Sequence, residues 1–185
     1  MADIILEEVS RKILLIMRDK LPDQLSAVAA EMSAQDAEFY LALGQEVPEV
    51  PLSPPVRYEV GHNPTVTKLP LDDYPALVVL CYGHDSAQDE GSDQYEVLAH
   101  AATVEMVAMH DDVVVMNSIA MRNAKALHRT ILLDRTLGGL TEPIALSPSV
   151  LVSAVTTRHK DDRSNEQTYI QACLLEYTFN IEQPW

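Results

Sequence analysis

Apolar and polar positions follow three different rhythms along the chain, and each rhythm predicts its own architecture. Through residues 3–44 the rhythm is helical. Ile4, Ile5, Val9, Ile13, Ile16 and Met17 recur at three- and four-residue steps, with Glu7, Glu8, Arg11 and Lys12 between them. Pro22 is read as opening a second helix, because a first-turn proline loses no hydrogen bond. Leu25, Val28, Ala29 and Met32 give that helix one apolar stripe. Ser33 is placed as the cap of a third short helix, Ala34–Leu43, which stops at Gly44.

The second rhythm is set by proline. Residues 45–75 hold Pro48, Pro51, Pro54, Pro55, Pro64, Pro70 and Pro75. Each fixes φ and removes a backbone donor, so neither a helix nor a central strand can run through. Val47, Val50, Leu52, Val56, Tyr58 and Leu69 are too apolar for a linker that stays in water. The segment reads as an extended arm crossing its own domain or a neighbour.

The third rhythm belongs to strands around one helix. Pro75–Tyr82 is a continuous apolar run of strand length, as expected of a strand covered on both faces. After the acidic loop Gly83–Asp93, Tyr95–His110 reads as a long strand. One parity carries Leu98, Ala102, Val104 and Met106; the other carries Val97, Ala101, Thr103 and Val107. Asp111 or Asp112 can cap a helix whose stripe is Val113, Met116, Ala120, Ala124, Leu127 and Ile131, and Gly138-Gly139 is read as ending it. Val150–His159 and Tyr169–Glu182 follow as two strands of a hairpin around the charged turn Lys160–Glu166. Ile170, Ala172 and Leu174 oppose Cys173, Leu175 and Tyr177, so the last strand begins apolar on both sides. That predicts a bulge, or a face covered from outside the sheet. The expected fold is α+β: about four antiparallel or mixed strands packed on one long helix. Three segments follow: N-terminal helices (1–45), a Pro-rich arm (46–74) and the α+β domain proper (75–185).

Composition narrows the function classes. With 28 acidic against 13 basic residues the net charge is −15. That disfavours a general nucleic-acid binder or a partner at an anionic membrane. Asp3, Glu7 and Glu8 stand where a signal peptide would be positive, and no run approaches the ~20 apolar residues of a membrane span. Cys81 and Cys173 sit in apolar segments without CxxC spacing, so both read as buried thiols of a protein folded in a reducing cytoplasm.

Catalytic chemistry finds little support. No phosphate loop, GxGxxG or GxSxG is present. His110-Asp111-Asp112 could be an acid/base or metal corner, but a strand end followed by a helix cap explains the same residues. His84-Asp85 reads the same way. His100 and His110 stand roughly 33 Å apart on an extended strand, too far to share a metal. The acidic loop lacks the ligand spacing of a calcium site. No catalytic residue, cofactor or metal is therefore expected.

Charge placement says more. Between Arg57 and Asp112 eleven acids face only two bases, Arg57 and Lys68. Asp85, Asp89, Glu90 and Asp93 make the densest cluster. Arg122, Lys125 and Arg129 then form a basic stripe on the long helix, at i, i+3 and i+7. A solvated face is one reading of both clusters. The other is a pair of complementary surfaces through which identical copies meet head to tail.

The succession of a helical N-terminus, a Pro-rich arm, two strands, one long helix and two final strands resembles the tail-terminator, or tail-completion, proteins of tailed bacteriophages. Tyr74–Leu80 (YPALVVL), Ala120–Leu132 (AMRNAKALHRTIL) with its exit Thr136–Leu140, and Leu174–Glu182 (LLEYTFNIE) carry the resemblance, which spans residues 75–182. It implies a structural virion protein that forms a ring, usually a hexamer, at the head-proximal end of the tail. Such a ring contacts the major tail tube protein and the head-completion or connector protein. DNA would pass through an acidic lumen without specific binding. A neck or head–tail adaptor, or a baseplate component, keeps the same setting. A small enzyme or ligand-binding domain using the His110–Asp112 corner is the alternative of another class.

Overall fold

The computed structural model describes residues 2–61, 69–83, 95–159 and 167–184. One helix, α1, runs without interruption over Ala2–Leu43, with Pro22 inside it. This corrects the three helices expected from the pattern. An interior proline costs about 3 kcal/mol. Against it stands a single unbroken stripe: Val9, Ile13, Met17, Leu21, Leu25 and Val28 are all essentially inaccessible to solvent. Each buried aliphatic side chain contributes roughly 1.5–3 kcal/mol, so Leu25 and Val28 alone offset the proline. Ser33 lies exposed in mid-helix instead of capping one. Gly44 does end the helix. Its φ is +66°, and the amides of Gly44 and Gln45 donate to the carbonyls of Leu41 (3.1 Å) and Tyr40 (3.0 Å).

The fold is α+β, with a mixed sheet of six strands. They are β1 (Arg57–Val60), β2 (Ala76–Gly83), β3 (Tyr95–His110), β4 (Ala145–Val152), β5 (Thr156–His159) and β6 (Gln167–Pro184). The order is β1-β2-β3-β6-β4, with β5 also on β6. Only β1 and β2 run parallel. β3 and β6 form the spine, paired antiparallel from Tyr95↔Pro184 to His110↔Tyr169. Two features raise the strand number above four. The Pro-rich arm supplies the edge strand β1, placed where proline's missing donors do no harm. The expected strand Val150–His159 is two strands, because the chain leaves the ladder at Ser153, whose hydroxyl accepts from the Ala172 amide. Within β4 the register shifts between Leu146 and Val150, a stretch that includes Pro148. The bulge thus falls on β4, not on β6.

The second helix, α2 (Val113–Leu132), is capped by Asp112, whose side chain accepts from the Val114 and Val115 amides. It ends at Leu132, earlier than Gly138-Gly139 implied. Those glycines, at φ +73° and +88°, instead shape the turn that follows, where Leu137 is held at φ +50° with its side chain fully buried. Helices α1 and α2 cover one face of the sheet, packing on Leu77, Val79, Val104, Met106, Cys173, Leu175 and Tyr177. On the other face the arm lays Leu69 and Tyr74 over Ala76, Val78, Val107, Ile170 and Ala172. That cover explains why β6 starts apolar on both parities. Both cysteines are free; Cys173 is buried and Cys81 half-buried.

Candidate subunit interface

The basic stripe forms as its spacing predicts, but it faces α1. Arg122, nearly buried, pairs with Asp36. Lys125 donates to one oxygen of Glu31 at 2.6 Å and Arg129 pairs with the other at 2.7 Å. As α1 advances from 31 to 36, its partners on α2 retreat from 129 and 125 to 122, so the helices run antiparallel. Hydrogen bonds from Lys125 and Arg129 lower the Glu31 pKa. The Arg122–Asp36 pair is the buried one; removing one member of such a pair typically costs about 3–5 kcal/mol, because the other charge is stranded. The acidic partners expected on a neighbouring copy are thus met within the chain by Glu31 and Asp36. Asp85, Asp89, Glu90 and Asp93 lie outside the described residues.

Glu31 and Asp36 were not singled out by the sequence reading, although a signal for them exists. Residues 21–50 contain Asp23, Glu31, Asp36, Glu38, Glu46 and Glu49 and no Lys or Arg. A three-cation stripe elsewhere on the chain has few other helical acids to meet.

The His110–Asp112 corner is a turn whose polar atoms hold one another. The Asp112 amide donates to His110 Nδ1 (3.0 Å), the Asp112 carboxylate caps α2, and Thr168 Oγ1 donates to Asp111 (2.8 Å). Asp111 also has a further interaction. Among the described residues no group of three His, Cys, Asp or Glu side chains could hold a metal. No helix among them is long and apolar enough to cross a membrane.

Two partly or fully buried features carry no signal in the sequence. Glu105 lies on the arm-covered side of β3, between Val78 and Leu174 in register, and desolvation lifts its carboxyl to about 7. From α2, His128 stacks on Tyr177 of β6 (centroids 6.3 Å), and on the sheet His100 tilts against Phe179 (5.6 Å). Burial lowers both imidazole pKa values and raises that of the Tyr177 phenol. Periodicity could place Glu105 and His100 on faces of β3 and His128 on a face of α2, but not reveal what packs against them.

The surface carries two apolar features of opposite charge setting. One is a groove of about 330 Å³ between α1 and β1, lined by Leu14, Leu15 and Tyr58 and rimmed by Arg11 and Arg18. The other is the C-terminal end of α1, where Phe39, Leu41 and Leu43 are all exposed. On β4, Val150 and Leu151 are exposed on opposite parities of an edge strand. No protein-family model matches the chain, and no curated protein matches it either.

Proposed function

We propose that this chain is a structural virion protein, a phage tail terminator whose copies close into a ring on the head-proximal end of the tail tube and offer the docking surface for the head connector. The observation that carries the reading is the order of elements. Two neighbouring strands, β2 and β3, lead into the single long helix α2, and the chain returns through β4, β5 and β6 to the same sheet. This is the succession on which the resemblance rests. The edge strand β4 adds support. Its free backbone groups and its exposed Val150 and Leu151 suit a sheet that continues against a neighbour.

The mechanism is binding geometry. A terminator occupies the last open subunit interface of the tube, so the polymer stops growing, and no residue carries covalent chemistry. Acidic loops would line the passage, because carboxylates repel phosphates and let DNA slide. Replacing Asp85, Asp89, Glu90 and Asp93 by Lys should slow DNA ejection; unchanged ejection kinetics would remove the lumen assignment.

The direct biochemical test adds the purified chain to polymerising tail tube protein. Tubes should shorten as its ratio to tube subunits rises, with the protein at one end only. Tubes of unaltered length contradict capping, and binding to isolated connectors without any effect on tubes favours an adaptor in the neck.

A further inference from the structure

The charge on α1 is polarised along its length. Residues 11–20 hold four cations, Arg11, Lys12, Arg18 and Lys20, against Asp19 alone. Residues 21–50 hold six acids and no cation. Glu31 and Asp36 are matched by α2, whereas Glu38, Glu46 and Glu49 form no ion pair among the described residues. These unmatched acids lie in and just beyond the C-terminal end of α1, which is apolar and uncovered. Phe39 and Leu43, four residues apart, share one side of the helix, and Leu41 points to the other. Their exposures are 59%, 53% and 80%. A helix end that is apolar around its circumference is suited to insertion, not to solvent.

The receptor for such an end is on the same chain but out of its reach. The groove is apolar and open, and Arg11 and Arg18 line it together with Leu14, Leu15 and Tyr58. Among the described residues Arg11 and Arg18 pair with exposed local acids, Glu7 and Asp19, and such pairs bind weakly. Leu15 and Phe39 are separated by about 36 Å of helix at 1.5 Å per residue. The tip therefore cannot fold back into its own groove, but a second copy can supply it.

We infer that the acidic, apolar tip of α1 (Phe39, Leu41, Leu43, with Glu38 and Glu46) docks into the basic-rimmed groove (Arg11, Leu14, Leu15, Arg18, Tyr58) of the next copy. The contact is heterologous: two different patches meet, each copy uses both, and the contacts close into a ring when the rotation between copies divides a full turn. Guanidinium groups over the Phe39 ring add a cation–π attraction to the carboxylate contacts. This inference rests on the proposed ring and names the surface that joins its subunits.

The test uses two full-length variants. In one, Arg11 and Arg18 become Glu (R11E/R18E); in the other, Glu38 and Glu46 become Arg (E38R/E46R). All four positions are solvent-facing, so melting temperatures should stay close to that of the parent chain. Analytical ultracentrifugation across concentrations should show the unaltered chain associating and each variant weakened at least about 100-fold, since like charges now face each other. An equimolar mixture should regain assembly, with the two variants alternating, because every groove then meets a tip of opposite charge. Oxidation of a chain carrying both Leu15→Cys and Phe39→Cys should further give a ladder of disulfide-linked oligomers. Assembly that ignores all four reversals overturns the proposed contact and leaves a ring built on another surface. An unaltered chain that remains monomeric in solution, together with a Leu15→Cys/Phe39→Cys chain that yields no ladder on assembled tails, overturns the contact; tail-length control then decides the terminator reading separately.

Discussion

The centre and the tip of the acidic half of α1 use the same kind of residue for different purposes. At its centre Glu31 and Asp36 meet Lys125, Arg129 and the nearly buried Arg122 of α2. At its tip Glu38 and Glu46 flank exposed Phe39, Leu41 and Leu43 and have no ion-pair partner among the described residues. The seam is therefore a device of the fold, and the tip is left exposed. Charge alone does not separate them. What separates them is whether the chain itself supplies the cation.

The comparison breaks most sharply at the seam. Arg122→Ala should lower stability by about 3–5 kcal/mol, because Asp36 is left with a poorly hydrated charge; the shift in a urea midpoint measures it. The double replacement Arg122→Met with Asp36→Leu should recover most of that loss, since an apolar pair of similar size avoids stranding a charge. A double variant as unstable as the single one would mean that the ion pair itself is required. Leu21→Ala, deep in the stripe beside Pro22, should cost about 2–5 kcal/mol in the same assay. A smaller effect would mean that α1 is not held through the proline by its buried face.

Glu105 tests the other face of the sheet through pH. Its carboxyl titrates near 7 in the fold against 4.5 as a reference value. The folded state therefore holds the proton more tightly than the unfolded chain. Stability from this group is fully present below about pH 4.5 and is lost as pH rises through 7. Glu105→Gln should leave stability unchanged at acid pH and raise it by up to about 3 kcal/mol at pH 8. An equal gain at both pH values would show that desolvation is not the cause. The smallest expected effect on folding is at the tip. Phe39→Ser should change the melting temperature little, since the ring is already in water, yet weaken self-association by about 30-fold or more.

How much of this could be read from the chain depended on what each pattern encodes. The stretch Tyr95–His110, apolar on both parities, located β3 at both ends, because a side-chain period of two is a property of the strand alone. The α2 stripe from Met116 to Ile131 was equally local, although Val113 at its start is exposed, and of the two candidate caps Asp112 is the one used. The continuity of α1 was not, because Pro22 argues for a break and only packing on the sheet and α2 overrides it. β1 was hidden for a similar reason: four residues in a proline-rich stretch carry no strand signal until β2 offers them a partner. The basic stripe was visible as a face, but periodicity gives direction around a helix without naming what lies opposite. Arg122 and Asp36 are 86 residues apart, and only the fold brings them together.

The central claim is that this protein ends tail growth by capping the tube, and tail length tests it most directly. Electron microscopy of particles assembled without the protein should show tails of uncontrolled length, unattached to heads. Restoring the chain should return a single length. Tails of normal length in its absence, lying beside unattached filled heads, would contradict capping and move the protein to an adaptor position in the neck.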